Sequence, residues 1–297
     1  MTNISTDARA GWRDSNLGTR REIRLPSGPL DVFDRGNGDP VVLVHGLVVN
    51  ANLWRGVVPV LARIFRCVTI DLPFGSHRVS MPDTDVDPPG LAQLVIETIE
   101  EMELGPVTLV GNDSGGVVCQ LVAARRPDLV ARMVLTSCDA YDNFPPKTFA
   151  YLKLAARIPA GMAILAAALR FRTVRALPVA YGWLSRAPID HRASDSYALP
   201  AGVARDIRDD LRRVLRGLDK QHTIAVAKTF ADFDRPVLLA WSDADRFFPT
   251  QHAHRLAADF PDARIEWIPG ARTFSPEDQP ALLANAVASF VTAGDAS

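Results

Sequence analysis

Residues 107–122 constrain the fold of this chain more than any other segment. The apolar run 107–110 is followed by Gly-Asn-Asp-Ser-Gly-Gly and then by a second apolar stretch with helical spacing. Gly111 and Gly115 stand two positions on either side of Asp113, where larger side chains would obstruct a sharp turn from strand into helix. The segment therefore predicts a strand, a strained turn centred on Asp113, and a helix.

The segments on both sides of this turn alternate between strand and helix patterns. Short apolar runs predict buried strands at 41–44, 67–70, 133–135, 237–241 and 265–268. Helical spacing of apolar residues predicts helices at 50–65, 91–102, 114–125, 251–259 and 276–291. A hairpin over residues 22–34 opens the series. This alternation predicts an α/β fold on a mostly parallel sheet with right-handed crossovers.

The alternation stops between residues 141 and 227, where no segment has a convincing strand pattern. This stretch is rich in alanine, leucine and arginine, and its prolines divide it into short helices. The strand pattern returns after residue 228. We therefore expect a core domain made of residues 1–140 and 228–297, and a helical cap made of residues 141–227.

The composition is that of an ordinary globular protein. Of the 297 residues, 47% are hydrophobic and 23% are charged, and the net charge is −1. This balance gives no reason to expect nucleic acid or an anionic membrane as a partner, so we expect a small-molecule substrate and leave the oligomeric state open. The polar start of the chain has no apolar signal segment, and the three cysteines are not spaced as pairs. We expect a cytoplasmic protein without a metal or cofactor.

Four landmarks occur in a characteristic order along the chain: His45-Gly46, the loop 71–73, the turn 111–116, and a loop with Asp243 and Asp245. In this order they resemble the α/β-hydrolase fold family, and the resemblance covers residues 22–292. It implies a mostly parallel central sheet flanked by helices, with a helical cap inserted after the sixth strand. The landmarks are specific for the fold and do not identify one reaction.

The turn carries an aspartate where most members of that family carry serine. Asp113 resembles the nucleophile of epoxide hydrolases and haloalkane dehalogenases, which attacks carbon and forms an alkyl ester. Ser114 is the alternative nucleophile and would form an acyl ester, but Asn112 then stands where a small residue is needed. A third interpretation makes Asp113 an N-cap that only starts the helix. We favour Asp113 as nucleophile, kept ionised at neutral pH by the helix N-terminus.

The resemblance also assigns the groups that hold the nucleophile. The backbone N–H groups of Leu47 and Ser114 would form the oxyanion-type pair that orients Asp113. We expect His45 to be structural, with proton transfer as the alternative. Ser114 replaces a tryptophan that binds halide in many relatives, and Val48 replaces a common proline. Epoxide opening is therefore favoured over dehalogenation.

The base side of the predicted site is incomplete. Family spacing makes Asp245 the acid that would hold a catalytic histidine in the right tautomer. Thr273 stands where that histidine is expected, and Arg272 is then the predicted partner of Asp245. A hydrolase that lacks its base can often complete the first chemical step but not the second.

Other residues could take over the missing role. His77 and His222 are the candidate replacement bases, and Asp139 lies at a second place where relatives carry the acid. Epoxide hydrolases also use cap tyrosines to protonate the opening epoxide oxygen. We expect packing roles for the four tyrosines of this chain.

Three functional hypotheses follow from the sequence. The leading one is an epoxide-hydrolase-like enzyme that acts on an apolar small molecule through Asp113, with a degenerate triad. The second is a non-hydrolytic isomerase, lyase or cyclase in which Asp113 is a general base or an electrostatic stabiliser. The third is a non-catalytic ligand-binding member of the fold. The intact turn favours the first two hypotheses, whereas Thr273 favours the last two.

Overall fold

The structure, a computed structural model, describes residues 6–294 and contains one eight-stranded sheet. The strands are β1 (Thr19–Leu25), β2 (Gly28–Arg35), β3 (Pro40–Val44), β4 (Arg66–Ile70), β5 (Val107–Asp113), β6 (Val130–Cys138), β7 (Val237–Ser242) and β8 (Ala263–Ile268). Their spatial order is β1-β2-β4-β3-β5-β6-β7-β8. β2 pairs antiparallel with β1 and β4, and all other neighbouring strands are parallel.

The strand predictions are confirmed, and most strands extend beyond the predicted bounds. β3, β4 and β5 are buried along almost their whole length, because helices cover both faces of the sheet. β6 differs most from its predicted range, 133–135. Thr136 and Ser137 continue the strand but interrupt the apolar run on which the prediction relied.

The described residues contain fourteen α-helices. They are α1 (Thr6–Ala10), α2 (Val58–Leu61), α3 (Pro88–Glu101), α4 (Ser114–Arg125), α5 (Ala150–Arg157), α6 (Gly161–Ala168), α7 (Arg172–Arg175), α8 (His191–Ala198), α9 (Pro200–Val203), α10 (Arg205–Gly217), α11 (Lys220–Ala227), α12 (Thr250–Asp259), α13 (Ser275–Asp278) and α14 (Pro280–Gly294). Short 3-10 helices lie at Ser15–Leu17, Ala51–Trp54, Pro127–Leu129, Lys147–Phe149 and Phe230–Asp232. None of the helices within residues 6–294 is long and apolar enough to cross a membrane.

Two helix predictions were wrong in detail, and proline explains both. The predicted helix 50–65 is a 3-10 turn followed by the single-turn α2, which has Pro59 at its start. The predicted helix 276–291 is divided into α13 and α14, and Pro280 begins the second part. Proline lacks an N–H and clashes with the preceding turn, so it begins helices and interrupts continuous ones.

The segment 141–227 between β6 and β7, here called the insertion, contains helices α5 to α11. Among them α10 packs against α5, α6 and α9. Buried polar contacts join the insertion to the sheet domain: His77 donates to Asp210 at 3.0 Å, and the Tyr197 hydroxyl donates to Glu277 at 2.7 Å. These contacts hold the insertion against the loop that follows β4 and against α13.

The three cysteines are buried free thiols. Burial raises the pKa of each thiol above its ordinary value. Because the thiolate is the reactive form, Cys67, Cys119 and Cys138 act as small apolar side chains that fill the core.

Candidate active site

The predicted turn at residue 113 is present and strained. β5 ends at Asp113, whose backbone has φ 55° and ψ −129°, and α4 begins at Ser114. A non-glycine residue at positive φ is energetically costly, so the surrounding structure has to hold it. A side chain at Gly111 would overlap Cys119, and one at Gly115 would overlap the backbone of β3. The two glycines allow close packing around a turn that has Asp113 at its apex.

Two backbone donors hold the Asp113 carboxylate. The Leu47 N–H donates to Oδ2 at 3.2 Å, and the Ser114 N–H also hydrogen-bonds to the carboxylate. Asp113 stands at the N-cap position of α4, but its side chain makes no N-cap hydrogen bond to the N–H groups further along the helix, so capping alone does not account for this residue. Asp113 is buried, with 9% of its surface exposed, and it lines a cavity.

The surroundings of Asp113 oppose the ionised form that the helix N-terminus favours. Burial raises the pKa of Asp113 to about 7, because the two N–H donors offset only part of the lost hydration and Asp245 adds repulsion. Near pH 7 the carboxyl group is therefore divided between its charged and neutral forms. A group in this state both accepts and donates protons near neutrality.

The Ser114 side chain contacts a second buried acid. Its hydroxyl donates to Asp139 Oδ2 at 3.0 Å, and Asp139 is completely buried. Burial, followed by repulsion from Asp113, raises the pKa of Asp139 well above its usual range. Asp139 Oδ1 has no hydrogen-bond partner among the described residues. Asp139 thus orients the Ser114 hydroxyl and does not orient a histidine.

Thr273 fills the position beside Asp245 where a histidine was expected. Its hydroxyl donates to Asp245 Oδ1 at 3.1 Å, and the same oxygen accepts the N–H groups of Phe247 and Phe248 at 2.8 and 2.9 Å. Thr273 is fully buried. Burial raises the pKa of Asp245, and these donors lower it only in part. The two residues are in contact, but a threonine hydroxyl cannot serve as a base at neutral pH.

The predicted pairing of Arg272 with Asp245 is wrong. The Arg272 guanidinium donates to the carbonyls of Gly182 and Ser185, at 3.0 and 3.2 Å. Arg272 therefore ties the loop after β8 to the insertion, whereas the next residue, Thr273, contacts Asp245. Adjacent side chains in this loop serve different partners.

All six histidines lie in the described part of the chain, and none of them lines the cavity at Asp113. His45 is fully buried. Its Nδ1 donates to the Gly46 carbonyl at 2.9 Å, and its Nε2 accepts the Leu72 N–H at 3.0 Å. Burial lowers the pKa of His45 to about 4, so the ring is neutral and holds two loops together.

The structure does not place His77 or His222 beside Asp113. The His77 ring accepts the Gly75 N–H at 3.2 Å and donates to Asp210 at 3.0 Å, so both ring nitrogens have structural partners. His222 is half-buried on α11, and no residue of α11 lines the cavity. Neither ring is in position to activate a water molecule at Asp113.

The cavity next to Asp113 is small and apolar. It has a volume of about 70 Å³ and lies between the turn, the loop at Leu47, and the inner sides of α5 and α6. Aliphatic side chains such as Met162, Leu165 and Leu211 form most of its wall. The apolar lining suits an apolar ligand.

The three tyrosines that line the cavity are committed to structural hydrogen bonds. Tyr151, Tyr181 and Tyr197 donate to two backbone carbonyls and one carboxylate, at 2.6, 2.8 and 2.7 Å. The fourth tyrosine, Tyr141, donates to Asp259 at 2.7 Å and does not line the cavity. Asp113 is therefore the one ionisable group lining the cavity, among the residues described, that is free to exchange a proton with a ligand.

The role of Asn112 was not predicted from the sequence. Its Nδ2 donates to the carbonyl of Thr136 at 3.0 Å and to the carbonyl of Thr273 at 2.7 Å. The amide thus joins β5, β6 and the loop that carries Thr273. A signal was available, because a polar side chain at the end of a fully buried strand has to find buried partners.

The sheet, the strained turn at its centre and the adjoining cavity define a protein of the α/β-hydrolase class. The model of the alpha/beta hydrolase fold family matches residues 39–280 of this chain. The chain belongs to that family.

Two relatives match this chain over most of its length. Haloalkane dehalogenase 2 of Mycobacterium tuberculosis is 28% identical over 272 residues, covering 88% of this chain and 90% of the relative. The uncharacterized hydrolase YugF of Bacillus subtilis is 25% identical over 256 residues, covering 84% of this chain and 89% of the relative.

Solved structures show the same fold. Haloalkane dehalogenase DbeA from Bradyrhizobium elkani superimposes with a TM-score of 0.79 at 19% identity, covering 94% of this chain and 99% of that one. The epoxide hydrolase CorEH superimposes with a TM-score of 0.78 at 20% identity, covering 92% and 98%. At these identities the similarity shows that the fold is shared, and nothing beyond the fold.

Proposed function

We propose that this protein is an enzyme that moves a proton on a small apolar molecule, with Asp113 as the base and without hydrolysis. The observation that carries the proposal is that no histidine lines the cavity among the described residues, while Thr273 occupies the place beside Asp245. Release of an ester from a carboxylate nucleophile needs a base that activates water. Proton transfer by Asp113 needs no such base.

The chemistry requires one carboxyl group in two protonation states. The Asp113 carboxylate takes a proton from a carbon next to an electron-withdrawing group, and the C–H electron pair becomes part of a new double bond. Return of the proton to another carbon gives an isomerisation, whereas departure of a leaving group gives an elimination. The backbone donors at Leu47 and Ser114 hold the carboxylate in place. A pKa of about 7 suits both removal and return of the proton.

The test uses 5-nitrobenzisoxazole, a small apolar carbon acid that opens to a coloured phenolate when a base removes its proton. Wild-type protein should accelerate the opening, with a rate that rises with pH and levels off above about 7, as expected for a base with that pKa. Asp113→Asn should abolish the acceleration. An equal rate with Asp113→Asn would refute Asp113 as the base.

A second candidate function is alkylation of Asp113 by an epoxide or haloalkane. Two observations favour it: the N–H groups of Leu47 and Ser114 converge on the carboxylate, and relatives of this chain are named for haloalkane and epoxide chemistry. In this case the Asp113 oxygen forms a bond to carbon, and the epoxide C–O or carbon–halogen bond breaks. The resulting ester would persist, because no histidine is near to activate water.

Intact-protein mass spectrometry distinguishes the two candidates. After exposure to styrene oxide or 1-bromohexane, a stable adduct that maps to Asp113 would support alkylation. Turnover with label from oxygen-18 water would instead establish hydrolysis. If no adduct and no proton transfer are observed and an apolar ligand is retained tightly, the non-catalytic hypothesis would be favoured.

A further inference from the structure

The outward side of the insertion has a composition that the cavity does not explain. Twelve large hydrophobic side chains are exposed among the described residues, and eight of them lie between residues 143 and 189. The same stretch contains seven lysines and arginines and no aspartate or glutamate. Contiguous exposed apolar surface usually marks an interaction site.

Helices α5 and α6 form a hairpin with two different sides. The inner sides carry Leu152 and Met162, which are buried and line the cavity. Because the two helices pack against each other and each turns one side to the same cavity, their exposed sides both face away from it. We call the exposed large apolar side chains of these two helices and of the segments directly after them the outer apolar face; they are Leu154, Ile158, Ile164 and Phe171, with exposures of 61%, 46%, 67% and 65%.

Exposed basic side chains surround the outer apolar face. Arg157 directly precedes Ile158, and Arg170 directly precedes Phe171. Arg172 follows Phe171 but pairs with Asp195 at 2.9 Å, so its charge is partly compensated within the protein. The expectation that no anionic membrane is a partner relied on the net charge of −1. That total conceals the local surplus, since the insertion as a whole has fourteen basic and seven acidic residues.

The mouth of the cavity opens beside this face. Tyr151 and Val179 both line the cavity and are 36% and 45% exposed. The Tyr151 hydroxyl donates to the Val179 carbonyl at 2.6 Å, which fixes the two residues side by side. Tyr151 lies one helical turn before Leu154 on α5, so the cavity and the outer apolar face meet at this point.

We propose that the outer apolar face docks on the surface of a membrane that contains anionic lipid. The exposed aliphatic and aromatic side chains would enter the interface, and the flanking arginines would contact lipid phosphates, as in helices that lie flat on a bilayer. Docking of this kind needs no membrane-spanning helix. It also places the cavity mouth at the lipid, so that apolar molecules dissolved there reach Asp113; only this last consequence rests on the proposed function.

Vesicle flotation of the full chain tests the docking. The protein should float with vesicles of phosphatidylcholine mixed with phosphatidylglycerol, about tenfold or more better than with phosphatidylcholine alone, and high salt should weaken the binding. Two double variants, Ile164→Glu with Phe171→Glu and Arg157→Gln with Arg170→Gln, should each lower binding about tenfold or more.

Matched controls come from another exposed surface. Ile64 is 52% exposed and adjoins the exposed Arg63, so Ile64→Glu and Arg63→Gln should float like the wild type. Asp113→Asn should also float normally, which separates failure of docking from failure of the proposed chemistry. Circular dichroism confirms that each variant is folded.

Three results would overturn the proposal. The first is no flotation with mixed vesicles, and the second is equal flotation of the wild type and both double variants. The third is a dimer, measured by light scattering, that Ile164→Glu with Phe171→Glu dissociates, because a second copy of the chain would then cover the face.

Discussion

The insertion and the remainder of the chain differ in charge and in what they bury. The insertion has fourteen basic and seven acidic residues, whereas the remainder has nineteen and twenty-seven. The remainder buries its unusual acids: Asp113, Asp139 and Asp245 all have a raised pKa, with burial as the main cause. The insertion instead exposes several basic and large apolar side chains.

This difference shows that a near-zero net charge can conceal opposite surpluses of charge in two regions of one chain. The two regions also contribute different parts of the candidate site. The sheet domain carries Asp113, the proposed reacting group, and the insertion supplies most of the cavity wall and its mouth. The following predictions test this division, from the largest expected effect to the smallest.

Asp210→Asn should lower the free energy of unfolding by about 3 kcal/mol at pH 7, because it disrupts a buried charged network between the two regions. Asp210 accepts hydrogen bonds from His77, Met81 and Arg213. Burial alone would raise the pKa of Asp210, but these donors lower it to about 2. The wild-type advantage should therefore be complete above about pH 4 and disappear as the pH falls towards 2.

Urea unfolding at several pH values measures this effect. The neighbouring Asp209→Asn is the matched control, since Asp209 has a half-exposed side chain that pairs only with other surface groups. Asp209→Asn should change the free energy of unfolding by less than about 0.5 kcal/mol. Equal decreases in the free energy of unfolding in the two variants would show that Asp210 contributes no more than a surface carboxylate.

Asp113→Asn should stabilise the protein above neutral pH. The folded-state pKa of Asp113 is raised from 3.8 to about 7, so folding loses stability as the pH rises through this range. The variant removes that penalty and should gain on the order of 4 kcal/mol at pH 8 and less than about 1 kcal/mol at pH 4. Thermal unfolding at both pH values checks this, with the exposed Asp39→Asn as control.

Thr273→His should restore a base beside Asp245. Position 273 is fully buried, so the larger ring should cost about 1–3 kcal/mol of stability. Any alkyl ester that styrene oxide forms on Asp113 should then be hydrolysed, with oxygen-18 from water appearing in the product or in Asp113. Arg272 does not block the site, because its guanidinium contacts Gly182 and Ser185. Unchanged ester lifetime in a folded variant would show that residue 273 is not where the base acts.

Ser114→Ala should have the smallest effect. Its hydroxyl contacts Asp139, whereas the groups that hold Asp113 are backbone N–H groups that alanine retains. The opening of 5-nitrobenzisoxazole should slow by less than about tenfold, compared with on the order of 10³-fold for Asp113→Ala. The reverse ranking would transfer the reacting role to Ser114.

Sequence patterns predicted the sheet domain well, because continuous apolar runs and the glycines around Asp113 are local signals with one structural solution. The contact between the loop at Thr273 and Asp245 was also predictable, since it depends on spacing along the chain. The partners of Arg272 and Asn112 were not, because both reach elements distant in sequence. The helix N-terminus predicted an ionised Asp113. Burial, which depends on tertiary packing, instead raises the pKa of this carboxyl group.

The most direct test of the account is the titration of Asp113 itself. Carbon-13 labelling of aspartate carboxyl groups, with Asp113→Asn to assign the signal, gives its pKa by nuclear magnetic resonance. A midpoint of about 7 would agree with a buried carboxyl group that both accepts and donates protons in a cavity without histidine. A midpoint at or below 3.8, the ordinary value, would contradict it and leave Asp113 as a permanently ionised carboxylate.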